Sequence, residues 1–187
     1  MDFINNLDIK LIIFVHQTFL VKPQFFWNWV SQKYLWFLFG LLVLFKLKNE
    51  KKITILLVIF VFGICILLTD RIASGIFKPF FQRLRPCHQE EIKIYLKLFE
   101  QNCGGQYGFI SSHSANIWGW VTLYFKLFST KKLEITFLIL MSILISISRL
   151  MLGVHFFSDL LVGAFLGSLI GFFVGTQTKK RWLLLNG

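Results

Sequence analysis

The chain has 187 residues, of which 56% are hydrophobic and 18% aromatic, and its formal net charge is +11. Its mean hydropathy is +0.67, and soluble domains of this length do not contain so large a fraction of apolar residues. The composition therefore excludes a soluble protein. We predict one integral membrane domain over residues 1–187 and expect its partners to be membrane lipids rather than nucleic acid.

The first predicted element is an N-terminal helix that lies in the membrane interface. Ile9–Val21 is apolar for only 13 residues and contains His16, Gln17 and Thr18, which favours an interfacial helix over a span. The N-terminus lacks the basic region and the small-residue cleavage site of a signal peptide, so we expect no cleaved leader.

Apolar runs further along the chain predict about five membrane-spanning helices. A span needs about 20 residues; four runs approach or reach that length, and a fifth is shorter and polar at its start. In chain order the five runs are Phe25–Phe45, Ile53–Phe77, Ser112–Phe128, Leu133–Leu152 and Phe156–Thr176. We therefore predict an all-α fold: a polytopic transmembrane helical bundle with about five spans, or six if the N-terminal helix also crosses.

A first group of cations follows the second predicted span. The segment Lys78–Pro86 holds Lys78 and Arg85 seven residues apart, beside two prolines. A guanidinium forks onto phosphate oxygens and a lysine adds a point charge, so the pair suits an anion at the membrane surface. The alternative is that both side chains snorkel to lipid headgroups.

A second polar group, Ser111, Ser112 and His113, stands where the third span begins. Two serines before an apolar helix predict an N-cap. A helix N-terminus with free backbone amides also binds phosphate, and His113 is placed to protonate a leaving oxygen. Taken alone, His113 is more typical of a hydrogen-bonded structural histidine.

A third group joins the last two spans and is the most informative part of the chain. Arg149 precedes His155 by six residues, and Asp159 follows four residues later. On a helix, positions i and i+4 share a face, so we expect Asp159 to hold one imidazole nitrogen of His155 and leave the other free. An ionisable group at the bilayer centre costs at least ~2.5 kcal/mol, so this cluster indicates a function.

Together the three groups resemble the three-part motif of the type 2 phosphatidic acid phosphatase superfamily, which also contains the vanadium haloperoxidases. The matching pattern is Lys78-x6-Arg85-Pro86, then Ser111-Ser112-His113, then Ser148-Arg149-x5-His155-x3-Asp159. The motif region covers residues 78–159, and the flanking spans suit the family's helical bundle. The middle segment differs from the usual Pro-Ser-Gly-His, because Ile110 and Ser112 occupy the Pro and Gly positions.

The resemblance implies a bacterial-type membrane lipid phosphatase that uses no metal and no cofactor. It implies that His155 attacks phosphorus and becomes phosphohistidine, that Asp159 orients His155, and that His113 protonates the leaving group. The phosphoryl oxygens would be held by Lys78, Arg85, Ser111, Ser112 and Arg149. Candidate substrates are undecaprenyl pyrophosphate, lipid A and phosphatidylglycerol phosphate. Two alternatives are a lipid phosphotransferase with the same intermediate and a catalytically silent lipid-binding protein.

Lysine and arginine counts bear on which side of the membrane holds the site. The two sides carry ten and nine of these residues, or ten and six once Lys78, Arg85 and Arg149 are set aside for chemistry. The positive-inside rule then places the short basic loops in the cytoplasm and the loop Lys78–Gly108 outside. We predict a protein of the bacterial inner membrane whose active site faces the periplasm.

The same outward loop contains Cys87 and Cys103, 16 positions apart. In an oxidising compartment they could form a disulfide that constrains the loop by roughly 3 kcal/mol on the chain-entropy model. Two free thiols are the alternative, since sequence spacing does not bring two Cα atoms within bonding range.

Overall fold

The computed structural model describes residues 2–32, 34–98 and 103–186, and within these ranges the chain is helical with no β-strand. An isolated antiparallel bridge between Leu84 and Tyr107 pairs two extended segments. In chain order the α-helices are α1 (Asp2–Gln17), α2 (Gln24–Ser31), α3 (Tyr34–Lys46), α4 (Lys52–Arg71), α5 (Lys78–Phe81), α6 (Glu90–Lys93), α7 (Ser112–Leu127), α8 (Lys132–Met151) and α9 (Phe157–Asn186). The all-α prediction is confirmed.

Among the residues that the structure describes, three helical stretches are long and apolar enough to cross a membrane. They are Lys52–Phe81, Lys132–Met151 and Phe157–Lys180, whose mean hydropathies are 2.7, 2.0 and 1.9. A further apolar helix, Phe37–Lys46, is shorter, and α7 has 16 residues with polar side chains in its first turns. The chain is thus an integral membrane protein, and the count of five spans stays a prediction.

The predicted continuous span Phe25–Phe45 is wrong. Helix α2 ends at Ser31, and Gln32 adopts an extended conformation with φ −78° and ψ 162° before α3 begins at Tyr34. Three consecutive polar residues, Ser31 to Lys33, interrupt the apolar run at this point. A polar triplet removes the apolar face that would hold one helix in lipid, so the segment divides into two shorter helices.

Other helices begin or end away from their predicted limits. Helix α1 already begins at Asp2 and ends at Gln17, and a short 3-10 turn, Phe19–Val21, follows it. Helix α4 does not stop at Phe77, because a π-helical segment, Ile72–Phe77, carries it into α5. Pro79 lies in the first turn of α5, where the missing N–H of a proline is tolerated.

Helix α7 lies at the centre of the bundle, against α4, α8 and α9. Its contact with α9 is very close, because a Cβ added at Gly167 would lie 2.0 Å from the Ala115 carbonyl oxygen and one at Gly171 would lie 2.2 Å from that of Gly119. Small residues let two membrane helices approach backbone to backbone. The close packing fixes the start of α7 relative to the start of α9.

Four helix ends meet at one end of the bundle, which we call the motif end: the starts of α7 and α9 and the ends of α5 and α8. Helix α1 packs across it, with Ile12 in an apolar cluster that includes Leu150 and Phe156. His16 joins the same region, since its Nε2 lies 3.0 Å from the Leu150 carbonyl oxygen and its Nδ1 accepts a hydrogen bond from the Lys97 N–H. The motif end therefore brings together segments that are far apart in the sequence.

The loop after α5 is cross-linked at this end. Cys87 and Cys103 form a disulfide, with their Cα atoms 6.0 Å apart, so of the two states left open by the sequence the structure has the bonded one. Next to the bridge, the Arg85 N–H donates to the Gln106 carbonyl at 3.1 Å and the Gly108 N–H donates to the Arg83 carbonyl at 2.8 Å. These two hydrogen bonds and the disulfide hold the two sides of the loop together next to Arg85.

Candidate active site

A cavity of about 870 Å³ opens at the motif end, and residues from all three sequence groups line it. Its polar wall consists of Lys78, Arg85, Ser112, His113, Arg149 and His155, with Asp70, Ser74 and Asn116 beside them. Its apolar wall is formed mainly by α3 and α4, through Phe37, Gly40, Leu41, Leu44 and Ile66. The cavity therefore joins a concentration of positive charge to a hydrocarbon-like surface.

His155 and Asp159 are in contact, although not in the way that helical spacing predicts. His155 lies in the turn between α8 and α9, and α9 begins only at Phe157, so the two residues do not share a helical face. Gly153 makes this turn possible with a φ of +70°, a conformation that suits glycine. The His155 Nδ1 lies 3.4 Å from the Asp159 Oδ2, and the same oxygen accepts the Phe156 N–H at 3.0 Å.

This contact assigns different roles to the two imidazole nitrogens. Nδ1 faces the carboxylate and Nε2 is left for chemistry, because a histidine that donates through one nitrogen can accept or attack through the other. His155 is almost completely buried. Burial lowers the pKa of His155 well below its usual value, and the positive charges of Arg85, Arg149 and Lys78 lower it further. The ring is therefore neutral at neutral pH, as a nucleophile must be.

Arg85 is fixed by backbone carbonyl groups. Its Nη1 donates to the Cys103 carbonyl at 3.0 Å and its Nε donates to the Tyr107 carbonyl at 3.3 Å. Burial lowers the pKa of Arg85, while the nearby carboxylate of Asp159 raises it; an arginine stays charged under such a change. The cross-linked loop thus presents a rigid guanidinium to the cavity.

Arg149 and Lys78 complete the positive wall. Arg149 donates through Nη1 to the Ser31 hydroxyl, whereas its buried Nε has no hydrogen-bond partner within the part of the chain that the structure describes. Lys78 Nζ donates to the Ser112 hydroxyl at 3.2 Å, and that hydroxyl lies 2.9 Å from the hydroxyl of Ser74. A buried donor without a partner is costly, so the Arg149 Nε is suited to an anion that enters the cavity.

The two adjacent serines of the middle group have different positions. Ser111 is the N-cap of α7; its hydroxyl accepts the Ser114 N–H at 3.4 Å, and its own N–H donates to the Asp159 carbonyl at 3.1 Å. Ser112 and His113 line the cavity, and Ser111 does not. The N-cap prediction is confirmed, and the direct contact of Ser111 with phosphate stays a prediction.

Sequence reasoning missed two charged residues that contact the site. The sequence motif assigns no role to Arg83, yet its Nη1 lies 2.9 Å from the Asp159 Oδ1 and its Nη2 lies 2.7 Å from the Asp8 Oδ2. The sequence contained one indication, because Asp8 is an acidic residue directly before an apolar run. An acidic side chain at a membrane helix usually pairs with a cation.

Comparisons with known proteins agree with the geometry. The family model of the PAP2 superfamily matches residues 52–183. The chain is 32% identical over 164 residues to a lipid A 4'-phosphatase of Porphyromonas gingivalis, covering 84% of this chain and 68% of that protein. It is 28% identical over 185 residues to a lipid A 4'-phosphatase of Bacteroides thetaiotaomicron, covering 96% of this chain and 82% of that protein.

A solved structure shares the fold. The fold of this chain is similar to that of a transmembrane PAP2-type phosphatidylglycerolphosphate phosphatase from Bacillus subtilis, with a TM-score of 0.68 and 23% sequence identity. The similarity covers 97% of this chain and 88% of the other. The helical bundle is therefore shared over nearly the full length of the chain, including the N-terminal helices that lie outside the family match.

Proposed function

This chain belongs to the PAP2 superfamily and is a membrane lipid phosphatase, and we propose that it removes a phosphate group from the sugar headgroup of a lipid of the lipid A type through a phosphohistidine on His155. The observation that carries the proposal is the cavity, which has a positive wall at the motif end and an apolar wall along α3 and α4. A lipid phosphate has the same two parts, an anionic headgroup and hydrocarbon chains.

In the first step of the proposed reaction, the lone pair of the His155 Nε2 attacks phosphorus while the bond between phosphorus and the lipid oxygen breaks. Asp159 holds the opposite nitrogen, Nδ1, at 3.4 Å and stabilises the ring as it gains positive charge. His113, which also lines the cavity, gives a proton to the departing lipid oxygen. The lipid leaves as an alcohol.

In the second step a water attacks the phosphohistidine and His113 takes one of its protons. Inorganic phosphate is released and His155 returns to its neutral form. Negative charge spreads over three equatorial oxygens in both transition states, and Lys78, Arg85 and Arg149 carry the compensating charge. The Ser112 hydroxyl and the start of α7 add neutral donors. In the proposed reaction these three cations supply the positive charge that metal ions supply in other phosphatases, so we expect activity in the presence of EDTA.

Polar side chains near the cations support a sugar headgroup. Asn116 lines the cavity, and its Oδ1 accepts a hydrogen bond from the Thr69 hydroxyl at 2.6 Å, which leaves its NH₂ group to donate. The carboxylate of Asp70 and the hydroxyl of Ser74 also line the cavity. A sugar offers hydroxyl groups to such partners, whereas a prenyl diphosphate does not.

We also propose that the site faces the periplasm from the inner membrane. Two observations support this orientation: the excess of lysine and arginine in the loops at the opposite end and the disulfide beside Arg85, since disulfides persist in oxidising compartments. After reduction, a membrane-impermeant thiol reagent added to intact cells should label Cys87 or Cys103 and spare the buried Cys65. Labelling only in opened cells would place the site in the cytoplasm.

The substrate proposal is tested by phosphate release from a panel in detergent with EDTA. The panel contains lipid A, phosphatidylglycerol phosphate, phosphatidic acid and undecaprenyl pyrophosphate, and we expect the highest kcat/KM with lipid A. Vanadate should inhibit, because it imitates the transition state. Activity that disappears in EDTA and returns with Mg²⁺ would contradict the metal-free mechanism. Transfer of phosphate to an added alcohol in place of water would indicate the phosphotransferase.

A further inference from the structure

A chain of buried charges extends from the N-terminal helix α1 to the nucleophile. The Asp8 Oδ2 lies 2.7 Å from the Arg83 Nη2, and the Arg83 Nη1 lies 2.9 Å from the Asp159 Oδ1. The second oxygen of Asp159 faces the His155 Nδ1. Asp8 is 5% exposed and Asp159 is completely buried, so the chain is largely shielded from solvent.

Asp8 also holds the start of the helix that carries Asp159. Its Oδ1 accepts the Ser158 N–H at 3.0 Å and its Oδ2 accepts the Ser158 hydroxyl. The first N–H groups of a helix lack partners within the helix and attract negative charge. A carboxylate from α1 therefore supplies the cap that α9 does not provide for itself.

Arg83 is oriented by its two carboxylates and its surroundings. A guanidinium directs its nitrogens in a fixed plane, and here one nitrogen faces Asp8 while the other faces Asp159 and the Ser158 hydroxyl at 2.8 Å. The guanidinium carbon also lies 4.1 Å from the centre of the Phe156 ring. If Asp8 lost its charge, the Arg83 Nη2 would keep no anionic partner and only the neutral Asn5 Oδ1, at 3.0 Å, so Arg83 would hold the Asp159 carboxylate less firmly.

Asp8 does not itself line the cavity, so it can act on the reaction only through these neighbours. It also lies outside the segment 52–183 that matches the family model. The spacing of the family motif therefore does not reveal it. Its contribution depends on how α1 packs across the end of α8 and the start of α9.

We propose that Asp8 is a positioning residue for catalysis: through Arg83 and Ser158 it fixes Asp159, and Asp159 in turn aims the Nε2 of His155 at phosphorus. The inference rests on the proposed phosphohistidine mechanism. Helix α1 is then part of the catalytic apparatus and not only an interfacial anchor. The cations that bind phosphate are untouched by Asp8, so its loss slows the attack and leaves substrate binding unchanged.

The test compares Asp8→Asn with Glu134→Gln in the full-length protein purified in detergent. Glu134 is a matched control because it also pairs with a cation, at 2.9 Å from Lys46, and with a hydroxyl, that of Tyr124, far from the cavity. With lipid A as substrate, Asp8→Asn should lower kcat about tenfold or more and leave KM within about twofold. Rapid quenching in alkali should show phosphohistidine formation slowed by the same factor. Glu134→Gln should retain the kcat of the wild type.

A double-mutant cycle adds a measurement that general destabilisation does not imitate. If Asp8 acts in part through Arg83, the double variant Asp8→Asn with Arg83→Gln should lose less kcat than the product of the two single losses. Effects that multiply would overturn the proposal. So would a wild-type kcat in Asp8→Asn, or equal losses in Asp8→Asn and Glu134→Gln.

Two further outcomes are informative. If Asp8→Asn does not fold, Ser158→Ala decides, because it removes a hydroxyl that joins Asp8 and Arg83 while both charges remain; a lower kcat at constant KM supports the proposal and an unchanged kcat overturns it. Failure of the proposed function has a different signature, because wild-type protein would then form no phosphohistidine. If the wild-type protein forms phosphohistidine and Asp8→Asn forms it equally fast, only the positioning role of Asp8 is rejected.

Discussion

The two ends of the bundle both hold buried or half-buried charges, but they differ in whether those charges are balanced. At the end opposite the motifs, Lys46 and Glu134 lie 2.9 Å apart with side chains 25% and 19% exposed, and Glu134 also accepts from the Tyr124 hydroxyl. At the motif end, Lys78, Arg85 and Arg149 line one cavity, and their hydrogen bonds are to hydroxyl and carbonyl groups.

The difference distinguishes a structural ion pair from a candidate binding site. A pair such as Lys46 and Glu134 satisfies itself and needs nothing else. Three cations that converge without three anions repel one another in a medium of low dielectric constant, so an incoming dianion restores balance. Asp159 does not provide that balance, because Arg83 and His155 already occupy its oxygens, and Asp70 adds only a single carboxylate to the lining of the cavity. Mutations at the motif end should therefore affect turnover, and mutations at the other end should affect stability.

The largest effect is expected from His155, the proposed nucleophile. His155→Ala should reduce kcat on the order of 10³-fold or more, because the variant has no group that can form the covalent intermediate. Asp159→Asn should also reduce kcat strongly, because an amide does not stabilise the charged ring. The measurement is phosphate release from lipid A by folded protein, with Glu134→Gln as the control. Activity in His155→Ala near that of the wild type would contradict the mechanism.

A smaller but still large effect is expected from the positive wall. Arg85→Lys keeps the charge but cannot reproduce the fork held by two carbonyl groups, so kcat/KM should fall about 10²-fold. The matched control is Arg71→Lys, since Arg71 is exposed and does not line the cavity; its kcat/KM should stay within about twofold of the wild type. Equal activity in the two variants would show that charge alone is sufficient at position 85.

His113, the proposed proton donor, should give an effect that depends on the leaving group. His113→Ala should lower kcat about a hundredfold with lipid A, because the departing oxygen then leaves without a proton. A lipid phosphate with a phenol as its leaving group needs no such proton, so the variant should lose no more than about tenfold with it. The two substrates are compared in the same preparation. Equal losses with both would remove His113 from the role of acid.

Much of the fold could be predicted from the sequence, because apolar runs of about 20 residues indicate membrane-spanning helices. The start of α7 at Ser112 and the extent of α8, Lys132–Met151, lie within one residue of prediction. The break after Ser31 was missed because 21 residues of high average hydropathy conceal three polar ones in their middle. The continuation of α4 through Lys78 was missed because a charged residue followed by proline usually marks a helix end.

The candidate site also has residues that the sequence predicted and residues that it did not. Motif spacing identified the residues that converge on the cavity, since each group is local in the sequence and the resemblance supplies the relation between groups. Arg83 and Asp8 were missed because their contact joins residues 75 positions apart. Such a contact depends on how α1 packs on the bundle, and neither hydrophobic periodicity nor the motif carries that information.

The smallest expected effect concerns pH and tests whether the unbalanced cations act on His155. Burial lowers the pKa of His155, and so do the charges of Arg85, Arg149 and Lys78. A lowered pKa means that the ring stays neutral as the pH falls, so the acid limb of kcat/KM should have its His155 midpoint below the usual 6.5. Removing one of these charges with Lys78→Met should move that midpoint upward.

The substrate also titrates in this range, because the second pKa of a phosphate monoester is about 6. That ionisation is the same for every variant, so the shift between wild-type protein and Lys78→Met reports the enzyme alone. Lys126→Met is the control, since Lys126 lies over the Phe172 ring and does not line the cavity; its profile should coincide with that of the wild type. If Lys78→Met left the midpoint in place or lowered it, the cations at the motif end would bind phosphate without tuning the nucleophile, and the contrast between the two ends would be one of binding only.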